Sequence, residues 1–344
     1  MPENLKVSPG PHISKAHSTR SIMIDVIIAL IPAVAAAAWY FRFYALIVIG
    51  TCVAAAVASE CICNLVRKKP NSLGDLSAVV TGLILALSLP PAIPFWAAII
   101  GSAFSIMIGK MVFGGLGANI FNPAMLGRAF MTACFGMLMT TWTVPATLDT
   151  RMPIISAATQ TAVVTQATPL AWSKQAVKTR NLQDKSRIVK ADIANELFEY
   201  NLTGQRGGCL GETSALALIT GGIYLLLRRT ITCHIPIAVL LSAAVFAAIG
   251  YLVDPNAFAL PWFHLTAGGM LICAFFIATD PVTAPLTTKG MWIFGAGVGA
   301  LIMLIRIVGE YPEGVMYAVL LMNAVSPLID RFCKVIPAGG KVNA

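Results

Sequence analysis

The sequence predicts an all-α polytopic membrane protein of about ten transmembrane helices, with an inverted repeat and one long extracytoplasmic loop. Hydrophobic residues make up 57% of the 344 residues and charged residues only 11%. Soluble globular proteins carry about 25% charged residues, so the chain belongs in a bilayer. Its apolar runs are roughly 20 residues long, which is the length of a membrane helix rather than of a barrel strand.

The apolar runs divide the chain into three parts. Residues 1–142 hold a polar N-terminus and five runs, residues 143–205 form a polar interval, and residues 206–344 hold five more runs and a polar C-terminus. The N-terminus lacks the pattern of a cleavable signal, so we expect the first run to stay as an anchor. The predicted spans are about 22–41, 44–66, 74–91, 94–112, 120–142, 208–227, 233–252, 262–278, 290–308 and 315–332.

The basic residues predict the orientation of these spans. With the N-terminus in the cytoplasm, 13 of the 24 Lys and Arg residues fall in cytoplasmic segments, and the short outer connections hold only Arg42. Short loops rich in Lys and Arg stay in the cytoplasm, whereas a loop of about 60 residues crosses regardless of its charge. We therefore expect both termini inside and residues 143–205 outside, and the net charge of +9 indicates orientation and not nucleic acid binding. The thirteen residues are Lys6, Lys15, Arg20, Arg67, Lys68, Lys69, Lys110, Arg228, Arg229, Lys289, Arg331, Lys334 and Lys341.

Small residues recur at helix-contact spacing in two spans. Gly101, Ser105 and Gly109 lie four residues apart in the fourth span, and Gly295 and Gly299 do so in the ninth. Such spacing allows close approach of helices in lipid, so we expect a packing role. The eight scattered cysteines form no C-x-x-C pair and are interpreted as small buried apolar residues.

A short sequence echo suggests the inverted repeat. Gly74-Asp75-Leu76-Ser77-Ala78 opens the third span, and Gly211-Glu212-Thr213-Ser214-Ala215 opens the sixth. Three spans separate the two copies, so they face opposite sides of the membrane, as inverted repeats require. Asp75 and Glu212 either line an ion path or act as N-terminal caps favoured by the helix dipole.

Two proline- and glycine-containing segments, 114–124 and 279–285, predict either broken helices that line a cavity or ordinary turns.

Ionisable residues inside apolar runs are costly and so suggest function. Asp25 and Glu60 lie in the first and second spans and join Asp75 and Glu212 as candidates for an ion path. Arg128 lies in the fifth span and Arg306 in the ninth. For these two cations, helix pairing and a cofactor or ion role both stay open.

The polar interval offers hydroxyl nucleophiles but no hydrolytic machinery. It contains no His-Ser-Asp set, no metal-ligand cluster and no glycine-rich phosphate loop, which argues against a hydrolase or kinase insert. Its candidate nucleophiles are Thr159, Thr161, Thr165 and Thr168.

Short sequence pieces, in a specific order and spacing, cover nearly the whole chain. They are Ser8-Pro9, His12, Thr19-Arg20-Ser21-Ile22-Met23, residues 83–91 (LILALSLPP), residues 113–117 (FGGLG), residues 121–125 (FNPAM), Thr168-Pro169-Leu170, His234-Ile235-Pro236, residues 275–283 (FFIATDPVT), Tyr311-Pro312, Gly314-Val315, residues 318–321 (AVLL), Asn323 and residues 327–330 (PLID). In these pieces the chain resembles the NqrB/RnfD family. That family of redox membrane proteins includes RnfD (also called RsxD) of the Rnf electron-transport complex and NqrB of the sodium-translocating NADH:quinone reductase.

The resemblance implies a covalent flavin. In that family the last threonine of an S/T-x-A-T sequence carries FMN through a phosphoester bond made by a separate flavin transferase. The matching residue here is Thr168, with Thr165 at the first position of the motif. The family also implies a second, noncovalent flavin (riboflavin or FMN), which the sequence does not locate.

The resemblance further implies membership of a multi-subunit Rnf-type complex in a prokaryotic inner membrane, which passes electrons between ferredoxin- and NAD-type carriers and moves Na⁺ or H⁺. The spans alone leave two alternatives open, since five-plus-five spans with an inverted echo also suit a secondary solute transporter. The other alternative is a membrane scaffold without a cofactor.

The orientation gives a direct test. We predict that a cysteine placed at Lys185→Cys reacts with a membrane-impermeant thiol reagent in intact cells, because residues 143–205 face outwards. A cysteine placed at Lys289→Cys, in a predicted cytoplasmic segment, serves as the control and should react only after the membrane is opened. Labelling of Lys185→Cys only in opened cells would reverse the orientation.

Overall fold

The computed structural model of the protein describes residues 18–68, 72–141, 170–171, 173, 202, 208–255, 257–309 and 313–334. Within these residues all regular structure is helical, which confirms the predicted all-α class. The helices are α1 (Thr19–Val66), α2 (Ser77–Leu87), α3 (Phe95–Ile106), α4 (Pro123–Cys134), α5 (Gly136–Met139), α6 (Ala215–Leu227), α7 (His234–Val253), α8 (Pro261–Thr266), α9 (Met270–Ile272), α10 (Thr288–Ile307) and α11 (Val315–Phe332).

Four short segments depart from α-helical geometry. Two are 3₁₀ turns, Leu73–Asp75 before α2 and Leu210–Glu212 before α6. Two are π-helical turns, Met107–Met111 after α3 and Cys273–Ile277 after α9. π turns are rare and occur mostly within longer helices, often at functional sites.

Helix α1 contains the first two predicted spans. Its 48 residues would extend about 72 Å if straight, more than twice the roughly 30 Å hydrocarbon core. The helix is broken at Arg42, where φ is 58° and ψ is −151°. Arg42 is also the connection predicted between spans one and two, so the break divides α1 where the sequence indicates.

Among the described residues, four helices are long and apolar enough to cross a membrane, namely α1, α7, α10 and α11. The predicted spans at 74–91 and 208–227 contain shorter apolar helices, α2 and α6. At 1.5 Å per residue, the 11 residues of α2 extend about 16 Å, half of the hydrocarbon core. The structure therefore supports several membrane helices, and the count of ten stays a prediction.

The glycine-rich segment 114–124 leads into α4 through a capped turn. Gly114, Gly115 and Gly117 have φ of 130°, 114° and 91°, values that favour glycine because it lacks a Cβ. Asn122 then caps α4 by accepting from the backbone N–H groups at positions 124 and 125, and Pro123 occupies the first turn. The Asn122 amide also donates to a backbone carbonyl of the second π turn, at position 277 and 3.3 Å, which ties the two segments together.

The small-residue stripes pack as predicted. A Cβ on Gly295 would lie 2.7 Å from the Ala238 Cβ, and one on Gly299 would clash with the Val239 carbonyl oxygen, so α10 lies close against α7. In the fourth span, a Cβ on Gly101 would lie 2.8 Å from a methionine side chain of α4. The expected packing role is confirmed for both stripes.

The sequence echo is also a structural one. In each copy a Leu-Gly-acid 3₁₀ turn ends just before an apolar helix. Asp75 accepts from the backbone N–H of Ser77 at 2.8 Å, while Ser214 caps α6 by accepting from Ala217. The two copies thus share a local fold but satisfy their helix starts with different side chains.

The packing of α6 against α1 gives a stability test with a matched control. A Cβ on Gly221 of α6 would clash with the Ala29 carbonyl oxygen, whereas one on Gly50 of α1 meets nothing within 4 Å. We predict that Gly221→Ala forces the helices apart and costs about 1–3 kcal/mol, while Gly50→Ala is neutral or slightly stabilising. Thermal unfolding of the purified protein in detergent measures both; equal melting temperatures for the two variants would contradict the close contact.

Candidate functional site

The buried charges of the described residues gather in two clusters. The inner network lies at the end of the bundle predicted to be cytoplasmic, and its members are Glu60, Asn64, Ser72, Asp75, Ser77 and Lys110. The outer cluster gathers residues from the other predicted end, and its members are Arg128, Cys209, Glu212 and Glu313.

Lys110 is the centre of the inner network. Its ammonium donates to both carboxylate oxygens of Glu60 at 2.8 Å and to the Ser77 hydroxyl at 2.5 Å. An ammonium has three N–H donors, and these contacts use all three. Lys110 is 2% exposed and Glu60 is fully buried, so each compensates the other's desolvation.

The remaining hydrogen bonds of the inner network extend it on both sides of the ion pair. The Ser72 hydroxyl donates to Glu60 at 2.5 Å and accepts from the Asn64 amide at 2.9 Å. The Ser77 hydroxyl donates to an oxygen of Asp75 at 2.6 Å. Glu60 and Asp75, separate candidates in the sequence, are therefore parts of one network.

The position of Lys110 corrects the sequence interpretation, which places this residue in a cytoplasmic segment. The π turn Met107–Met111 puts it in the protein interior instead. One of the thirteen basic residues that predict orientation is thus a buried ion-pair partner. The reason is that sequence alone does not show that Glu60, fifty positions earlier, lies beside it.

In the outer cluster, Arg128 of α4 donates to Glu313, which precedes α11, and to the Cys209 thiol at 3.3 Å. The Cys209 sulfur and one carboxylate oxygen each of Glu212 and Glu313 lie within 4.8 Å of one another. A guanidinium already contacts two of these groups, which favours an ion-paired cluster over a metal site. Burial acts to raise the pKa of Glu313, but the Arg128 charge outweighs it and holds that pKa below its ordinary value.

Arg306 lies at the same end of the molecule as the outer cluster. It donates to the backbone carbonyls of His264 at 2.7 Å and Ala267 at 2.9 Å, the last turn of α8 and its C-cap. A Cβ on Gly268 would lie 2.5 Å from Leu170, 3.0 Å from the Arg306 guanidinium and 3.6 Å from the carboxylate of the outer-cluster acid before α11. These three side chains therefore converge on one glycine, where φ is +65°.

Asp25 has a different environment from the other predicted acids. Its carboxylate accepts from Tyr224 at 3.3 Å, from Arg228 at 3.3 Å and from Thr230 at 3.0 Å. These partners belong to the C-terminal end of α6 and the turn after it, so Asp25 joins α6 to α1.

A cavity of about 740 Å³, including the space at its mouth, adjoins the inner network. Burial raises the pKa of the Asp280 carboxyl at its wall above its ordinary value, against hydrogen bonds from Val282 and Thr283. A second, more open hollow of about 730 Å³ lies on the other side of the network and is lined in part by Asn64, Ser72 and Asp75. The wall of the first cavity is largely apolar, and its polar groups include Thr81, Lys110, Asn119, Asn122, Thr279 and Asp280.

The broken-helix segments line the first cavity, as one of the two sequence interpretations predicts. Leu116, Asn119 and Asn122 come from the first segment, and residues 279–281 come from the second. Thr165 and Thr168 lie outside the described residues, so the flavin attachment stays a prediction.

A paired-charge interior, half-length helices and a cavity beside them define a polytopic membrane protein that handles charged or redox-active species. The chain belongs to the NQR2, RnfD, RnfE family, whose sequence profile it matches over residues 6–339.

Three relatives, each designated D in the naming of its complex, show the extent of the similarity. One belongs to the Na⁺-translocating ferredoxin:NAD⁺ oxidoreductase complex of Acetobacterium woodii and is 43% identical, over 96% of this chain and 94% of its own length. Another belongs to the proton-translocating ferredoxin:NAD⁺ oxidoreductase complex of Clostridium ljungdahlii and is 41% identical, over 97% and 96%. A third belongs to an ion-translocating oxidoreductase complex of Yersinia enterocolitica and is 38% identical, over 95% and 96%.

Sequence reasoning missed two members of the outer cluster. The sequence interpretation treats Cys209 as a small apolar residue, but its sulfur accepts from Arg128. It also places Glu313 in a short outer connection, whereas this acid is the partner of Arg128. A carboxylate directly before an apolar run, as at Glu313, is the available signal for a helix-start acid that turns inwards.

The Arg128–Glu313 pair predicts a large loss of stability when only one charge is removed. Arg128→Met leaves Glu313 buried without its cation and should cost about 3–5 kcal/mol. The double variant Arg128→Met/Glu313→Gln removes both charges and should regain much of that loss. Unfolding of both proteins in detergent provides the measurement, and equal stability of the single and double variants would refute a direct pairing.

Proposed function

We propose that this chain is the flavin-carrying membrane subunit of an ion-translocating ferredoxin:NAD-type oxidoreductase complex. The carrying observation is that relatives named as parts of such complexes match it over at least 94% of both lengths. In this proposal Thr168 holds FMN through its phosphate, and the other Rnf-type subunits supply and remove the electrons. The names of the relatives favour this function over the solute transporter that the spans alone allow.

The described residues next to Thr168 support an attachment point held against the bundle. Leu170, two positions later, is buried with three apolar side chains at and around α8, namely Ala259, Phe263 and Ala267. Two residues of extended chain reach about 7 Å, so a group attached at Thr168 is tethered close to Leu170. Leu170 itself meets Arg306 and Glu313 around Gly268, which puts the proposed flavin beside the outer cluster.

FMN supplies chemistry in which electrons are accepted singly or in pairs, as needed between one-electron and two-electron carriers. The protein contributes position: a phosphoester leaves the ring free and prevents loss of the cofactor to the outer compartment. The flavin transferase forms this bond during maturation, so the chain needs no general base of its own.

The 740 Å³ cavity fits the second, noncovalent flavin that the family resemblance implies. Ligand pockets are usually about 300–1,000 Å³, mostly apolar, with a few placed polar groups. The cavity meets this description, with the amides of Asn119 and Asn122, the hydroxyls of Thr81 and Thr279 and the Asp280 carboxyl at its wall. These groups would hold the polar edge of a flavin while the apolar wall covers its ring.

The ion moved is Na⁺ or H⁺, since the relatives include both kinds. Asp25, Glu60, Asp75 and Glu212 are the proposed acids of its path. The last three support this role by their position in clusters that combine buried acids with a buried cation, at opposite ends of the bundle.

Thr168→Val tests the function directly. The substitution removes the nucleophilic hydroxyl at nearly constant shape, so the protein should insert and assemble. Covalent flavin fluorescence of its band in a denaturing gel should vanish, and electron transfer from reduced ferredoxin to NAD⁺ should fall sharply.

Thr165→Val is the matched control, because it changes the first motif position and keeps the attachment residue. It should retain part of the fluorescence. A Thr168→Val protein that keeps its covalent flavin would show that another residue is modified or that the family assignment does not extend to this loop.

A further inference from the structure

The inner network separates the large cavity from the polar hollow, and it has members on both surfaces. Ser77 and Lys110 line the cavity. On the other side, the hollow is lined by Ser72 together with the amide and the second acid of the network. Glu60 is fully buried between the two groups, with hydrogen bonds to Ser72 on one side and Lys110 on the other.

We propose that Ser72, Glu60, Lys110 and Ser77 form a proton relay, which carries protons from the hollow to an organic redox group in the cavity. The inference rests on the proposed redox function and goes beyond it, because it assigns the proton supply to named residues. Every step of the relay is a hydrogen bond of 2.5–2.8 Å, so no residue must move far for a proton to pass.

The transfer balances in protons. A flavin-type group takes up two electrons, supplied by reduced ferredoxin, and two protons. For each proton, the Ser77 hydroxyl gives its hydrogen to the reduced group and receives one from Lys110. The neutral amine of Lys110 then receives the proton that Ser72 has passed to Glu60, and Ser72 is reprotonated by water in the hollow. Each member ends with the protons it began with.

The charges of the network favour transfer over a purely structural bridge. A stabilising role alone needs one acid per cation, whereas here two acids, Glu60 and Asp75, enclose a single Lys110. Ser77 contacts both charged partners, Lys110 and Asp75, and lines the cavity as well. A buried hydroxyl between a donor and a cavity is positioned to hand a proton on.

Ser77→Ala and Ser59→Ala test the relay as a matched pair. Ser59 precedes Glu60 and is also buried, but its hydroxyl donates to the Ala55 carbonyl in its own helix. In the assembled complex, Ser77→Ala should slow ferredoxin-dependent NAD⁺ reduction on the order of 10²-fold and should increase the solvent deuterium isotope effect. Ser59→Ala should keep the wild-type rate and isotope effect, and both variants should keep the covalent flavin.

The double variant Glu60→Gln/Lys110→Met gives a second, independent measurement. Removing both charges of a buried pair is far less destabilising than removing one, so this protein should assemble. It should show the same slow rate and raised isotope effect as Ser77→Ala. If it fails to assemble, the Ser77→Ala result alone decides.

Two outcomes would overturn the relay in distinguishable ways. Wild-type rates and isotope effects in Ser77→Ala, beside an active wild-type complex, would leave the network a structural bridge. A wild-type complex without ferredoxin-dependent NAD⁺ reduction would overturn the proposed function and the relay with it.

Discussion

The ion pair between Arg128 and Glu313 joins the two halves of the chain inside the bundle. Arg128 belongs to α4, before the long polar interval, and Glu313 and Cys209 belong to the part after it. A charge buried at membrane depth is tolerated when it is paired or faces a polar space, so each half of the chain completes the other. The halves therefore share one interior, and residues next to the polar interval converge on it through Leu170 and Gly268.

The inner network follows the same constraint at the opposite end, but within the first half alone. Its pair joins Glu60 of α1 to Lys110, and the flanking serines satisfy the remaining groups. Because both ends use buried acids beside one cation, the echoed Leu-Gly-acid turns serve similar environments in opposite orientations. This is what an inverted repeat would require, although only the local turns repeat in the described residues.

The class of fold could be predicted from the sequence, whereas most contacts could not. Hydropathy located the break at Arg42 and the close helix contacts at Gly295 and Gly299, because bilayer thickness and side-chain size leave direct marks in a sequence. It overestimated the length of the helix at 74–91, since an apolar composition does not show where a backbone stops being helical. The buried acids were found as costly residues, but their cations depend on distant parts of the chain, as Glu60 shows.

A π turn holds one residue more than the α turn it replaces, which rotates everything after it by about 100° around the helix axis. In Met107–Met111 this rotation brings Lys110 to the interior, where an uninterrupted helix would present a different face. The facing of that lysine is therefore encoded by the number of residues in the turn. Among related chains, a single-residue deletion there would change which side chain meets Glu60 even if every remaining residue were identical.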